Sequence, residues 1–309
     1  MKARVRSLPQ VAAWPQMLDM IERAIHRDLM SVWEFPVAAC QAVGGAAEAA
    51  AAGAAAVFCS LTSIHLVDDM LDDDPHGDFR RIGAGPAANL ALAFQAAAHC
   101  LLDETEVPAA ARGELQACLG RMALATAFGQ HLDSREVGSE EEYWQVVGAK
   151  TPPLFSAAFR LGALLGGAPA ATADELDRFG DVLGKFVQVS DDLGDALRTP
   201  AGADWQRRSN NLPILYAMLA DHPAREEFIS LSAASHDPES LAAAQKLLLR
   251  SGGVSFCAWK MVEFSRAAQA ILAGIQLRDR QPLAELLTAQ LRPLERLLAT
   301  VGFSEPLAP

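Results

Sequence analysis

Apolar residues recur along this chain at steps of three and four, and β-branched runs that alternate with polar residues are missing. Alanine and leucine fill most of the repeating positions, and both are strong helix formers. Such stripes are buried by packing long helices on one another. The spacing predicts helices over 9–30, 36–53, 55–74, 86–103, 108–133, 140–148, 152–166, 172–197, 210–221, 238–251, 254–276 and 282–301. Turn residues at Pro75-His76-Gly77, Gly166-Gly167 and Pro200-Ala201-Gly202 separate periodic segments. Thr172 and Asp174 fit as N-terminal caps. No linker divides the chain, so the expected fold is all-α, a large helical bundle forming a single domain over residues 1–309.

With 309 residues, 51% of them hydrophobic, the chain has enough apolar material for a sizeable core. A net charge of −12 argues against nucleic acid as a partner, because phosphate backbones call for a basic surface. Lys2, Arg4 and Arg6 are followed by polar and proline residues where a signal peptide needs an apolar run. The most apolar stretch, Ala49 to Val67, runs directly into Asp68 and reads as a buried core helix, with no transmembrane segment expected. The five cysteines are scattered, as small buried hydrophobes of a reducing, cytoplasmic compartment would be.

Two acidic segments stand out from this apolar background. Asp68-Asp69-Met70-Leu71-Asp72-Asp73-Asp74 and Asp191-Asp192-Leu193-Gly194-Asp195 each close an apolar helical stretch. At helical spacing the first Asp and the one four later share a face, where like charges repel. A hard divalent cation removes that penalty, and Mg²⁺ prefers carboxylate and water oxygens. Two such faces would hold several Mg²⁺ ions around a diphosphate. Arg80 and Arg81 follow the first cluster, and planar guanidinium groups suit phosphate oxygens. Lys150-Thr151 precedes Pro152-Pro153 at a helix start, a position that favours an anion. Gln188 lies three residues before the second cluster; a role in the core is open to it as well. For His65, a buried and hydrogen-bonded state is expected ahead of metal binding, and Asp73, Asp74 and Asp78 read as groups that support the metal ligands from behind or are simply solvated. For His131 and Asp133, packing is the default.

Together these residues carry a family resemblance. Ile64-His65-Leu66-Val67-Asp68-Asp69 with Arg80-Arg81 resembles the first aspartate-rich motif of the trans-isoprenyl diphosphate synthases, and Gly184 to Asp195 resembles their second. Gly129-Gln130, Lys150-Thr151 and Asn211-Leu212-Pro213 match in order as well. The resemblance implies the isoprenoid synthase fold with a central cavity. It further implies about three Mg²⁺ ions per site, held by Asp68, Asp72, Asp191 and Asp195. By the same resemblance Asp69 is catalytic, and Arg80, Arg81, Lys150, Thr151 and Gln188 contact an allylic prenyl diphosphate. A homodimer is implied too, and the amphipathic face of Trp14, Met17 and Met20 is a candidate for packing in it.

The chain departs from the family pattern at the acceptor. Where the family has Gly-Lys-x-x-Arg-Pro, a motif that binds isopentenyl diphosphate, this chain reads Ser31-Val32-Trp33-Glu34-Phe35-Pro36. The family's His or Gln seven residues before the first motif falls on Leu61. Three polar anchors are thus Val32, Phe35 and Leu61, so the isopentenyl diphosphate site is expected to be weakened or lost and the acceptor is unknown. The lysines usual after the second motif are missing, with Arg198, Arg207 and Arg208 near enough to substitute. The extended acidic cluster with a diverged acceptor site also resembles the prenyltransferase of moenomycin biosynthesis. Three readings follow. The leading one is a prenyltransferase; the others are a class I terpene cyclase on the same scaffold and a non-catalytic subunit of a heteromeric synthase. Small residues at Ser60 and Ser63, before Asp68, leave room for a donor tail of about C15 to C20.

Overall fold

The computed structural model describes residues 1–27, 31–107, 109–202, 204–205 and 210–299. Among these residues the chain is helical throughout, with no strand, as the periodicity predicts. The elements in order begin with α1 (Lys2–Arg6), α2 (Pro9–Ala12), α3 (Pro15–Arg27), α4 (Phe35–Ala42) and α5 (Ala51–Leu71). Next come α6 (Asp78–Ile82), α7 (Ala84–Asp103), α8 (Ala109–Asp133), α9 (Glu140–Lys150), α10 (Pro152–Leu165) and α11 (Ala170–Leu197). The rest are α12 (Leu212–Leu219), α13 (Arg225–Ala233), α14 (Pro238–Ser251), α15 (Gly253–Gly274) and α16 (Gln281–Ala299).

The chain forms two compact units. The first comprises Met1–Ala127, Pro153–Asp181 and Ala270–Ala289. Its central helix is α5, buried along most of its length and packed against α7. The segment Ala47–Leu71 is long and apolar enough to cross a membrane, yet 72% of its most apolar window is buried inside the protein. Burial in the core accounts for that composition. Beside α5, Phe35 stacks on Phe159 at 5.0 Å and meets Phe155 edge-on at 5.4 Å, while Phe159 packs edge-on against Phe179. Met17, Met20 and Ile21 of α3 are buried as well. The face expected to pack in a dimer is therefore occupied within its own unit.

The second unit comprises Phe128–Pro152, Val182–Gln269 and Gln290–Pro309. Its core gathers Trp205, Ile214, Phe228, Leu241 and Leu248, and the Trp205 indole N–H donates to the Ala196 carbonyl at 3.2 Å. Asn211 caps α12 through the Ile214 N–H, and Asp237 caps α14 through the Ser240 N–H at 2.8 Å.

Several helix limits differ from those the spacing predicts. The 36–53 helix ends at Ala42 because Gly44 takes a left-handed φ of 95°, and a short 3₁₀ turn, Ala47–Ala50, leads into α5. The predicted first helix is divided into α2 and α3 around Trp14 and Pro15, and its last residues lie outside those described. Helix α5 stops at Leu71 rather than at residue 74, since Asp73 has a left-handed φ of 53°. Thr172 and Asp174 are not caps: α11 begins two residues earlier, and Ala173 already donates back to Pro169. Helix α13 went unpredicted because its buried side chains are only Phe228 and Ser232, too few to register as a periodic stripe.

Phe35 is 1% exposed at the centre of the aromatic group. Phe35→Ala should cost about 3–5 kcal/mol of stability, read from the denaturant midpoint at unchanged m-value.

Candidate active site

In the first unit, the last turn of α5 carries Asp68 and Asp69, and Asp72 caps it with its N–H donating to the Asp68 carbonyl at 2.9 Å. The turn that follows is folded back on itself: Asp74 accepts from the His76 N–H at 2.7 Å. Arg80 then reaches back from α6, donating to the Asp73 carbonyl at 3.0 Å and pairing with the Asp73 carboxylate at 2.5 Å. Its guanidinium also lies over the Phe79 ring, 4.7 Å from the centroid. These contacts fix a cation one turn past the acidic motif. Arg81 turns instead to Asp19 at 3.0 Å and to Asp78 at 3.4 Å, and Asp78 is buried rather than solvated. His65 is exposed rather than buried, and borders a small cavity with Asp69 and Asp78. Ser63 donates to the Ala91 carbonyl at 2.8 Å, and Ser60 is fully buried.

The second unit assembles its residues through two close helix approaches. A side chain at Gly129 would meet the Ala149 backbone at 2.4 Å, and one at Gly184 would meet the Pro152 Cα at 2.6 Å. The bare backbone at Gly129 brings the end of α8 against the end of α9, where Lys150 donates to Asp133 at 2.6 Å. Asn210 holds the same Asp133 from the other side, through its carbonyl at 2.5 Å and its carboxylate at 3.0 Å. Gly184 sets α11 beside the start of α10, so the Thr151 hydroxyl donates to Gln188 Oε1. Gln188 passes the chain on, donating from Nε2 to Asp192 Oδ1 at 2.7 Å. Helix α9 is itself well specified, with Ser139 capping Glu142 and three glutamates in its first turn.

Along the face of α11 lie Asp191 and Asp195, with Asp204 beside them. Asp191 keeps solvent contact, but protein packed around its carboxyl, then the carboxylates of Asp195 and Asp204, raise its pKa to about 7. Burial likewise lifts Asp204 to about 6, against a hydrogen bond from Asn211. Asp195 is shifted upward by burial, opposed by Arg198 at 3.7 Å. Hard oxygen donors that resist carrying charge together fit a divalent cation such as Mg²⁺. Arg207 and Arg208 lie outside the described residues.

Sequence reasoning missed Asp204, Tyr143, Asn210 and the part played by Asp192. Asp204 lies nine residues past the acidic motif and has no helical register with it. For Tyr143 there was a local signal: it stands seven residues, two turns, before Lys150 on one face of α9.

A family model described as polyprenyl synthetase matches residues 35–248, a stretch that includes both acidic motifs. The chain belongs to the polyprenyl synthetase family. It is a polyprenyl-synthetase-like enzyme. A short chain isoprenyl diphosphate synthase of Methanothermobacter thermautotrophicus is 28% identical over 79% of this chain and 80% of its own length. A dimethylallyltranstransferase of Mycobacterium tuberculosis is 32% identical over 55% of this chain, a match spanning 51% of that relative. Among solved structures, a polyprenyl synthase from Caulobacter crescentus CB15, complexed with calcium and isoprenyl diphosphate, superposes with a TM-score of 0.80. It is 22% identical and covers 96% of this chain and 98% of its own, which establishes the shared all-α isoprenoid synthase fold.

The raised pKa of Asp191 has a signed consequence for this polyprenyl synthetase. The folded state binds that proton more tightly than the unfolded chain, whose value is 3.8, so metal-free stability is lost as pH rises from about 4 toward 7. Asp191→Asn should therefore stabilise the metal-free protein at pH 8 in urea titrations, with the gain fading toward pH 5.

Proposed function

We propose that this enzyme is a Mg²⁺-dependent prenyltransferase that ionises an allylic prenyl diphosphate of about C15 to C20 and passes the prenyl group to an acceptor other than isopentenyl diphosphate. The observation that carries the finer part of this reading is the burial of Val32 and Phe35, each 1% exposed. They occupy positions where the family pattern has the lysine and arginine of the isopentenyl diphosphate site, and Leu61 replaces the third anchor. Phe35 is committed to an aromatic stack, so a cationic side chain at that position would break the core. The acceptor that fits is lipophilic or otherwise lacks a diphosphate.

In this reading Asp68, Asp72, Asp191 and Asp195 hold the metal, about three ions per site, with Asp204 adding a carboxylate next to the second motif. Bound Mg²⁺ would neutralise a diphosphate and make it a better leaving group. The chain's own groups supply the rest. Arg80, anchored by the Asp73 and Asp74 turn, and Lys150, anchored by Asp133, present fixed N–H donors to phosphate oxygens. Asp69 assists at the first motif, Arg81 adds positive charge, and Thr151 and Gln188 position the ligand through the bond they share. Ser60 and Ser63 accommodate the tail. The enzyme works as a homodimer in the cytoplasm; family membership is what supports the dimer. A terpene cyclase is favoured only by the apolar residues at Trp33, Phe35 and Leu61, whereas the intact Asp191 to Asp195 motif favours transfer.

Two experiments test the proposal. Farnesyl or geranylgeranyl diphosphate should raise the melting temperature only when Mg²⁺ is present, and Asp68→Asn or Asp191→Asn should abolish the shift. A cyclic hydrocarbon or terpene alcohol released without a second substrate would replace the transferase by the cyclase. An elongated diphosphate on adding isopentenyl diphosphate would show that the acceptor site survives. In the second experiment, Ser63→Phe should shorten the longest donor that gives a thermal shift; an unchanged donor range would contradict the tail assignment.

A further inference from the structure

Asp192 sits between the two carboxylates assigned to metal, yet it points elsewhere. It is 3% exposed. Its Oδ2 accepts from the Tyr143 hydroxyl at 2.6 Å and from the Leu212 N–H at 2.8 Å. Its Oδ1 accepts from Gln188 Nε2 at 2.7 Å, and its backbone carbonyl accepts from Asn211 at 2.7 Å. Three donors on one buried carboxylate commit both of its oxygens to partners within the protein. Those donors come from α9, α11 and the start of α12, so a single side chain ties together three elements of the second unit.

We infer that Asp192 is a positioning residue and not a metal ligand, and that Tyr143 is the donor that sets it. The inference rests on the proposed metal role of Asp191 and Asp195. Both flank Asp192 on α11, so any shift of Asp192 is passed to them through the helix backbone. Asn211 couples the same assembly to the third carboxylate, donating to Asp204 at 2.7 Å as well as to the Asp192 carbonyl. Tyr143 itself is 1% exposed, with Trp144 edge-on at 4.9 Å. In the other direction the chain runs from Gln188 to Thr151, beside Lys150. One hydrogen-bonded line thus links the second acidic motif to the residues proposed to hold phosphate. Outer partners of this kind change metal affinity by about 10–100-fold when they are lost.

Two substitutions separate this role from ligation. Tyr143→Phe removes one donor and adds no bulk. Asp192→Asn keeps the shape, and its amide can be accommodated: Gln188 flips, the Thr151 hydroxyl turns to accept, and the line runs in reverse. Binding of Mn²⁺ to the intact protein, followed by electron paramagnetic resonance, reads the site without turnover, and circular dichroism reports folding. The expected result is Mn²⁺ affinity about tenfold weaker in Tyr143→Phe, with native ellipticity, and an Asp192→Asn protein that keeps the full number of ions. Unchanged affinity in folded Tyr143→Phe would reduce Tyr143 to a packing residue and overturn the inference. Loss of an ion in Asp192→Asn would make Asp192 a ligand and overturn it too. Should Tyr143→Phe fail to fold, the ion count of Asp192→Asn decides alone. No Mn²⁺ binding by the unaltered protein would remove the metal reading of the second motif, and this inference with it.

Discussion

Carboxylates held closer together than water alone makes comfortable are the constraint around which the second unit is arranged. Asp191, Asp195 and Asp204 all have pKa values raised by burial, and Asp191 feels the other two directly. A surface evolved only for stability would spread such groups apart. Here they are kept together by costly means: a buried Asp192, an Asn211 shared between backbone and carboxylate, and a glycine that lets α11 touch Pro152. In the proposed function a divalent cation would offset that repulsion.

The first unit solves a different problem with the same economy of side chains. Helix α5 opens on an alanine-rich stretch, and its small residues let it pack along α7 while it delivers Asp68, Asp69 and Asp72 at its end. Within α5 itself the carboxylates are confined to that final turn, with the Arg80 anchor beyond it. Elsewhere polarity has given way to packing: Val32, Phe35 and Leu61 are core residues at positions where the family pattern is polar. The stack of phenylalanines around Phe35 gives this part of the core its cohesion.

Much of this was legible because helical periodicity and the one-turn spacing of the aspartates are both local. The long helices could be read from apolar steps, and Asp68 and Asp72, or Asp191 and Asp195, from their separation by one turn. What escaped were features that depend on distant partners. Helix α13 buries too little to show a stripe, and its place is set by Phe228 entering the Trp205 cluster. His65 was expected to be buried and is exposed, since the α5 face it occupies near the motif is the one left open. Asp204 could not be paired with the motif from sequence, because the chain between them has no fixed period.

The sequence by itself determined an all-helical chain and two acidic helix ends, for the reason that both are properties of residues within a few turns of each other. Which of two adjacent aspartates stays open to solvent and which is locked inward was decided only by the tertiary structure. Neighbours on a helix differ in direction by about 100°. Tyr143, Gln188 and Leu212, brought in from other parts of the chain, are what turn Asp192 into the core and leave Asp191 open to solvent.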